Sequence, residues 1–331
     1  MERSTASLRA LLEAHQVSIY FVAVAAAALA GVLMPAFGAL EGAINPALAV
    51  MLFATFLQVP LGELGRSFRQ IRLMAALLVV NFAVIPVLVA LLVQLLPPDP
   101  LLRFGVLLVL LSPCIDYVVT FAHLGRADAR GLLAATPLLL GAQMLLLPAY
   151  LAIIPGGGGG DIIRLAPFLH AFVWLIAVPL LLAGLVQRFG RNKSGGERAL
   201  DVLGLLPVPA TALVLFIVVC AVVPQLGAAG ASALAAAPVY VLFALAAPVA
   251  GLLVGRLFRL PPGGVRAVAF SAATRNSLVV LPLGLAVPGA VPVVPAIIVT
   301  QTLIELLSEL MYIRAIPLAA PERHAGRTPA A

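Results

Sequence analysis

The sequence predicts an all-α integral membrane protein: ten transmembrane helices arranged as two inverted five-helix repeats, with the fourth and ninth helices broken and crossed. Three observations predict it. The chain of 331 residues is 63% hydrophobic and only 10% charged, with a mean hydropathy of +1.15, which excludes a pair of ordinary soluble domains. Its apolar residues gather into stretches of about the 20 residues that a helix needs to cross a bilayer core roughly 30 Å thick. Its richest intramembrane polar clusters fall at corresponding places, in the fourth stretch of each half.

The ten stretches run over 17–36, 43–62, 73–96, 101–124, 131–154, 162–187, 202–223, 233–257, 265–287 and 291–313. Before the first, TASLRALLEAHQ is expected to form a short interfacial amphipathic turn or two within a cytoplasmic segment 1–16. The small residues of AAAALAG resemble a signal cleavage site, but the leader is long and of mixed charge, so the first span is expected to stay as an uncleaved helix. The pentaglycine Gly156 to Gly160 marks an external linker, 155–161, between a first repeat over 17–154 and a second over 162–315; a cytoplasmic tail, 316–331, follows. Five spans per half is an odd number, so any structural repeat must be inverted, a common architecture of secondary transporters.

The loop charges orient the chain. The net charge of +7 suggests nucleic acid only until the basic residues are sorted by side. One side holds Arg3 and Arg9, then Arg66, Arg69 and Arg72, then Arg126 and Arg130, then Arg188, Arg191, Lys193 and Arg198, then Arg256, Arg259 and Arg266, and finally Arg314, Arg323 and Arg327. The other holds Arg103 and Arg164. By the positive-inside rule both termini are cytoplasmic, which needs an even number of spans, and the setting is the plasma membrane with no nucleic-acid partner. Arg275 belongs to neither side.

The fourth and ninth spans are VLLVLLSPCIDYVVTFAHLG and RAVAFSAATRNSLVVLPLGLAV. The first carries Pro113, Cys114, Asp116 and Tyr117; the second carries Ser271, Thr274, Arg275, Asn276 and Ser277. Pro113 removes a backbone donor and pushes Ser112 out of helical geometry, so the helix is expected to break just before Cys114. Freed backbone groups cannot face lipid, so such a break must be covered by protein or line a cavity. An ionised Asp or Arg at the bilayer centre costs about 2.5–3.5 kcal/mol on insertion scales, so Asp116 and Arg275 each need a partner. The economical arrangement crosses the two broken spans and pairs these residues; a purely structural ion pair is the plainer reading.

Other intramembrane polar residues are Asn81, Gln143, Gln301, Thr302, Glu305 and Glu309. Gln301 shares a helix face with Glu305, and Thr302, Glu305 and Glu309 form a second stripe, so the last span turns a polar face inward. Glu309 is expected to be solvated near the cytoplasmic end, whereas the deeper Glu305 is the candidate proton-carrying or site-lining carboxylate. His123 and His170 are read as interfacial. Cys114 and Cys220 both lie in apolar spans, so no disulfide framework or zinc cluster is indicated, and Cys220 reads as a small buried hydrophobe. No nucleotide-binding loop, zinc signature or hydrolase elbow is present, so the chain is expected to be no enzyme, to hold no cofactor or resident metal, and to be no ATP-driven pump.

At the fourth span, LPPDPLLRFGVLLVLLSPCIDYVVTFAHLGRAD resembles the arsenite-efflux branch of the bile acid, arsenite and riboflavin transporter superfamily, whose members carry a Pro-Cys-Ile motif. INPALAVMLF, VVNFAVIP, VPLLLAGLVQRFG, ALVLFIVVC and AFSAATRNSLVVLPLGLAV are similar to the family's second, third, sixth, seventh and ninth spans. The resemblance implies ten spans in two inverted repeats with crossed, interrupted fourth and ninth helices. It places Cys114 on the cysteine that efflux members require and Glu305 on their last-span carboxylate. It implies a proton-coupled antiporter of arsenite, or of the related antimonite, with Asp116 or Glu305 coupling to the proton.

The chain departs from that branch at Asp116 and Tyr117, where efflux members have small or apolar residues, and at Arg275, Asn276, Ser277 and Leu278, where they carry Asn-Asn-Phe-Glu. The sodium-coupled bile-acid branch shares the fold and binds sodium on these same helices; a fixed cation at Arg275 opposes sodium there. Two functions follow. The leading one is proton-coupled efflux of arsenite or a related metalloid; the second is sodium- or proton-coupled transport of an organic anion with Arg275 as counter-ion. The candidate substrate site is Cys114, Asp116, Tyr117, Arg275, Asn276 and Ser277, with Asp116 and Glu305 for ion coupling and Pro113 as the helix break.

Overall fold

A computed structural model describes residues 2–58, 70–115, 117–154, 173–190 and 196–321. Asp116, the glycine-rich linker, Arg66, Arg69, Arg164, His170, Arg191, Lys193, Arg323 and Arg327 lie outside these residues. Everything described is helix, turn or coil, apart from one isolated β-bridge.

The helices are α1 (Glu2–Leu33), α2 (Glu41–Gln58), α3 (Ile71–Val79), α4 (Ile85–Leu92), α5 (Pro100–Leu110), α6 (Val118–Leu124), α7 (Ala129–Ile153), α8 (Val178–Gly190), α9 (Gly196–Leu203), α10 (Pro207–Val222), α11 (Leu226–Leu257), α12 (Pro262–Ala273), α13 (Ser277–Leu285) and α14 (Val293–Ala319). Among the described residues six stretches are helical, long and apolar enough to cross a membrane: Ser7–Leu33, Ile71–Leu95, Ala129–Ile153, Ala199–Ala221, Ala229–Leu257 and Val293–Ala319. The expected second span is the shorter Gly42–Gln58, and the expected sixth contributes Val178–Gly190. The expected fourth and ninth spans are each two short helices around an unwound stretch, α5 with α6 and α12 with α13. The amphipathic segment expected ahead of the first span is instead the opening of α1, which runs unbroken from Glu2. Arg9 and Glu13, four residues apart, pair there at 2.8 Å.

The helices pack as two groups. In one, α1 lies on α10, and α2 lies between α10 and α8. In the other, α11 packs on α12 and α14, α14 packs on α5 and α13, and α6 packs on α7. Helices α10 against α14 and α2 against α13 join the groups. Where α11 meets α12, Gly251 and Gly255 form a small-xxx-small stripe. A Cβ on Gly251 would stand 2.5 Å from the Ala269 Cα, so backbone contact is what fixes this crossing.

The third span shows how local sequence shapes a helix here. Pro86 has no N–H to offer the Phe82 carbonyl one turn back, and the helix loosens there into a π turn over Val80–Val84. The Tyr150 hydroxyl of α7 donates to the released Phe82 carbonyl at 2.5 Å. The wider turn carries Asn81, fully buried.

Candidate functional site

The two unwound stretches meet as a short antiparallel bridge between Pro113 and Arg275. The Cys114 N–H donates to the Thr274 carbonyl at 3.2 Å, and the Asn276 N–H donates to the Ser112 carbonyl at 2.8 Å. Pro113 explains the first break, because α5 can extend no intrahelical bond through it. The second has no proline; Thr274 is extended, at φ −93° and ψ 129°, and exchanges helical bonds for the bridge. Freed backbone groups of each stretch are therefore satisfied by the other.

Arg275 is fully buried at this crossing. Its Nη2 donates to the Ser271 carbonyl at 2.5 Å, the Ala272 carbonyl at 2.8 Å and Asn81 Oδ1 at 2.9 Å. Its Nη1 lies 3.4 Å from the Leu110 carbonyl, and the Phe243 ring centroid is 5.5 Å from the guanidinium carbon. Three of these acceptors close the last turns of α12 and α5, so the cation sits where two helix C-termini concentrate negative partial charge. Asn81 is held for this role: its Nδ2 donates to the Leu77 carbonyl at 3.0 Å and to Ser271 Oγ at 2.8 Å. The sequence singled out Asn81 only as an intramembrane polar residue, and the π turn that presents it to Arg275 is what that reading lacked. Among the described residues the guanidinium has no carboxylate oxygen within 4 Å, and Asp116, its expected partner, lies outside them.

The opposite charge belongs to Glu305 of α14, 4% exposed. Its Oε2 accepts from the Arg275 backbone N–H at 2.6 Å and from Gln301 Nε2 at 2.6 Å, and its Oε1 accepts from the Tyr117 hydroxyl. That hydroxyl also lies 3.1 Å from the Arg275 carbonyl. One carboxylate thus ties α14 to both unwound stretches. Ser277 Oγ bonds Thr302 Oγ1 at 2.8 Å, a second link between α13 and α14.

Glu309 corrects an expectation. It is fully buried, not solvated, and the Thr274 hydroxyl lies 2.5 Å from its Oε1. The misjudged depth follows from where α14 ends: the helix continues to Ala319, ten residues beyond Glu309, or about 15 Å at 1.5 Å per residue.

Of the sequence-derived site residues, the structure brings Cys114, Tyr117, Arg275, Asn276, Ser277 and Glu305 to the crossing around Pro113. Cys114 is fully buried. Cys220 lies apart, fully buried in α10 with its thiol on the Ala27 carbonyl at 3.4 Å. Among the described residues no three His, Cys, Asp or Glu side chains gather as a metal-ligating group.

Beside Tyr117, between α1, α2, α6 and α10, lies a cavity of about 40 Å³. Gln16, Thr55, Gln58, Thr120 and Thr211 line it with Glu13. Gln16 is 4% exposed and its Nε2 has no partner among the described residues. Sequence reasoning missed these residues because they are spread over four helices, one or two polar side chains on each.

A family model described as the sodium bile acid symporter family matches residues 45–229, more than half of the chain. Comparison with curated proteins gave no match. The helices and this match together make the protein a multi-pass membrane transporter of a small molecule.

Proposed function

The chain belongs to the sodium bile acid symporter family, and from that premise we propose that it is a secondary carrier exporting arsenite, or a related uncharged metalloid hydroxide, in exchange for protons. The observation that carries the reading is the occupancy of the crossing by Arg275. Its guanidinium fills a shell of four oxygens, from Leu110, Ser271, Ala272 and Asn81, that would otherwise suit a small monovalent cation. A tethered cation in that shell opposes sodium and favours the proton as coupling ion. Glu305, with three donors on its carboxylate, is the group that takes up and releases that proton.

Cys114 supports the metalloid. Arsenite at neutral pH is an uncharged trihydroxide with a soft arsenic atom, and sulfur is its best side-chain ligand. In binding, an As–S bond forms and an As–O bond breaks; the thiol proton leaves with the displaced hydroxide as water, and no net charge enters the site. A single thiol holds the solute transiently, as a carrier requires. The cavity beside Tyr117, about 40 Å³, has room for a solute of a few heavy atoms, whereas drug-sized ligands occupy about 300–1,000 Å³. The organic-anion alternative needs Arg275 as counter-ion, and its Nη2 is already spent on protein acceptors.

The same reading takes the two interrupted helix pairs as matched fourth elements of inverted repeats over 17–154 and 162–315, in a plasma-membrane protein with both termini in the cytoplasm. Everted vesicles given arsenite and either a proton or a sodium gradient test the function. We expect uptake with the proton gradient, none with sodium alone, and at least a tenfold loss in Cys114→Ser. Sodium-driven uptake, or full activity of Cys114→Ser, overturns it.

A further inference from the structure

Away from the crossing, at the basic end of the molecule, the turn between α11 and α12 meets the starts of α3 and α7 around a cavity of about 460 Å³. Arg72, Leu73, Asp128, Arg259, Leu260 and Gly264 form its wall. The three charges there are used differently. Asp128 Oδ1 accepts from the Gly131 N–H at 2.9 Å as the N-cap of α7, and the Asp128 N–H donates to the Gly263 carbonyl at 2.9 Å. The guanidinium groups of Arg72 and Arg259 make no hydrogen bond or ion pair among the described residues. Neighbouring arginines contrast with them: Arg256 donates to the Ala319 carbonyl at 2.7 Å, and Arg266 donates to the Ala320 and Arg126 carbonyls at 2.8 and 2.7 Å.

Arg259 occupies a costly position. Its φ is 54°, in the left-handed region where glycine is free of strain and closes most helix ends of this kind. The Leu260 N–H reaches back to the Gly255 carbonyl at 3.1 Å, as that motif requires. An arginine here costs the turn some stability and gains a cation on the cavity. Helix α12 also begins at the cavity, after Pro261, without a side-chain cap, and the positive end of its dipole adds to the potential there. On the cavity wall Ile71 is apolar and 70% exposed.

We propose that this cavity binds a phosphate-type oxyanion, presented by the headgroup of an anionic membrane lipid. Basic pockets between helices at the membrane surface suit such headgroups, planar guanidinium groups match phosphate oxygens, and the exposed Ile71 adds apolar surface suited to an acyl chain. The site is independent of the transport reading, since none of its wall residues reaches the crossing.

The test uses the full-length protein in neutral detergent, titrated with phosphatidylglycerol, phosphatidylcholine or sodium phosphate while thermal stability and lipid adducts by native mass spectrometry are followed. Phosphatidylglycerol is expected to bind at least tenfold more tightly than phosphatidylcholine and to raise the melting midpoint. Arg72→Gln with Arg259→Gln should erase that difference, and Arg72→Lys with Arg259→Lys should keep most of it, which separates lost binding from lost folding. A response to sodium phosphate that equals the lipid's and is lost in the Gln variant supports the anion site with a free anion as occupant. Equal binding of the two lipids with no response to phosphate, or a Gln variant that binds phosphatidylglycerol as the wild type does, overturns the proposal.

Discussion

Arg275 sets the chemistry of the crossing because its guanidinium must satisfy acceptors on three sides at once. Removing it leaves Asn81 Oδ1 and the carbonyls of Leu110, Ser271 and Ala272 facing one another with no donor. Leaving a buried acceptor without a donor costs about 1–3 kcal/mol. Arg275→Ala is therefore expected to melt earlier than the wild type, and its midpoint should rise again with sodium chloride but not with choline chloride at equal ionic strength. The wild type should show no such sodium response; a sodium-stabilised wild type would sink the tethered-cation reading. Sequence alone exposed the need for a partner, since an unpaired arginine does not survive in a membrane. It named Asp116, which lies outside the described residues, and gave no hint of Asn81, which lies 194 positions away and whose orientation depends on the π turn ahead of Pro86. Glu309 was misplaced for a related reason: the last span was expected to stop near residue 313, and α14 runs to Ala319.

The broken helices were legible in unequal measure at the scale of elements. Pro113 announces the first break through its own chemistry, whereas nothing in ATRNSLV forbids a helix, and the second break exists because its backbone pairs with the first. Pairing between segments some 160 positions apart leaves no local signal. The close approach of α11 and α12 was equally silent, since Gly251 and Gly255 gain meaning only when Ala269 and Val265 are seen against them. Overpacking a tight interface costs about 1–3 kcal/mol. Gly251→Leu should accordingly lower the melting midpoint in detergent by several degrees, while the same change at Gly141, where an added Cβ meets nothing within 4 Å, should leave it within a degree or two. Equal effects at both positions would remove backbone contact as the feature that fixes this crossing.

For the whole molecule, composition carried most of the information, because lipid admits few ways to satisfy a backbone and each helical span must announce itself by length and hydropathy. The asymmetry of loop charge is the basis of the proposed orientation. A reporter fused after Ala331 should be active only in a cytoplasm-dependent form, such as a fluorescent protein, and silent as a periplasmic phosphatase; the reverse pattern would invert the topology. What composition could not convey is the division of the helices into two packed groups, with α1, α2, α8 and α10 on one side and the crossing on the other.

The covalent attachment of the cation in the crossing has an electrical consequence. A sodium ion picked up on one face and released on the other makes a one-way trip, worth about 2.3 kcal/mol per 100 mV of membrane potential. Arg275 cannot dissociate, so any part of the field it crosses as the carrier turns one way it recrosses on the return. Over a closed cycle its charge does no net work. The current measured per turnover should then report only the charge of the ions exchanged, which in the proposed exchange is one elementary charge for each proton moved against an uncharged solute.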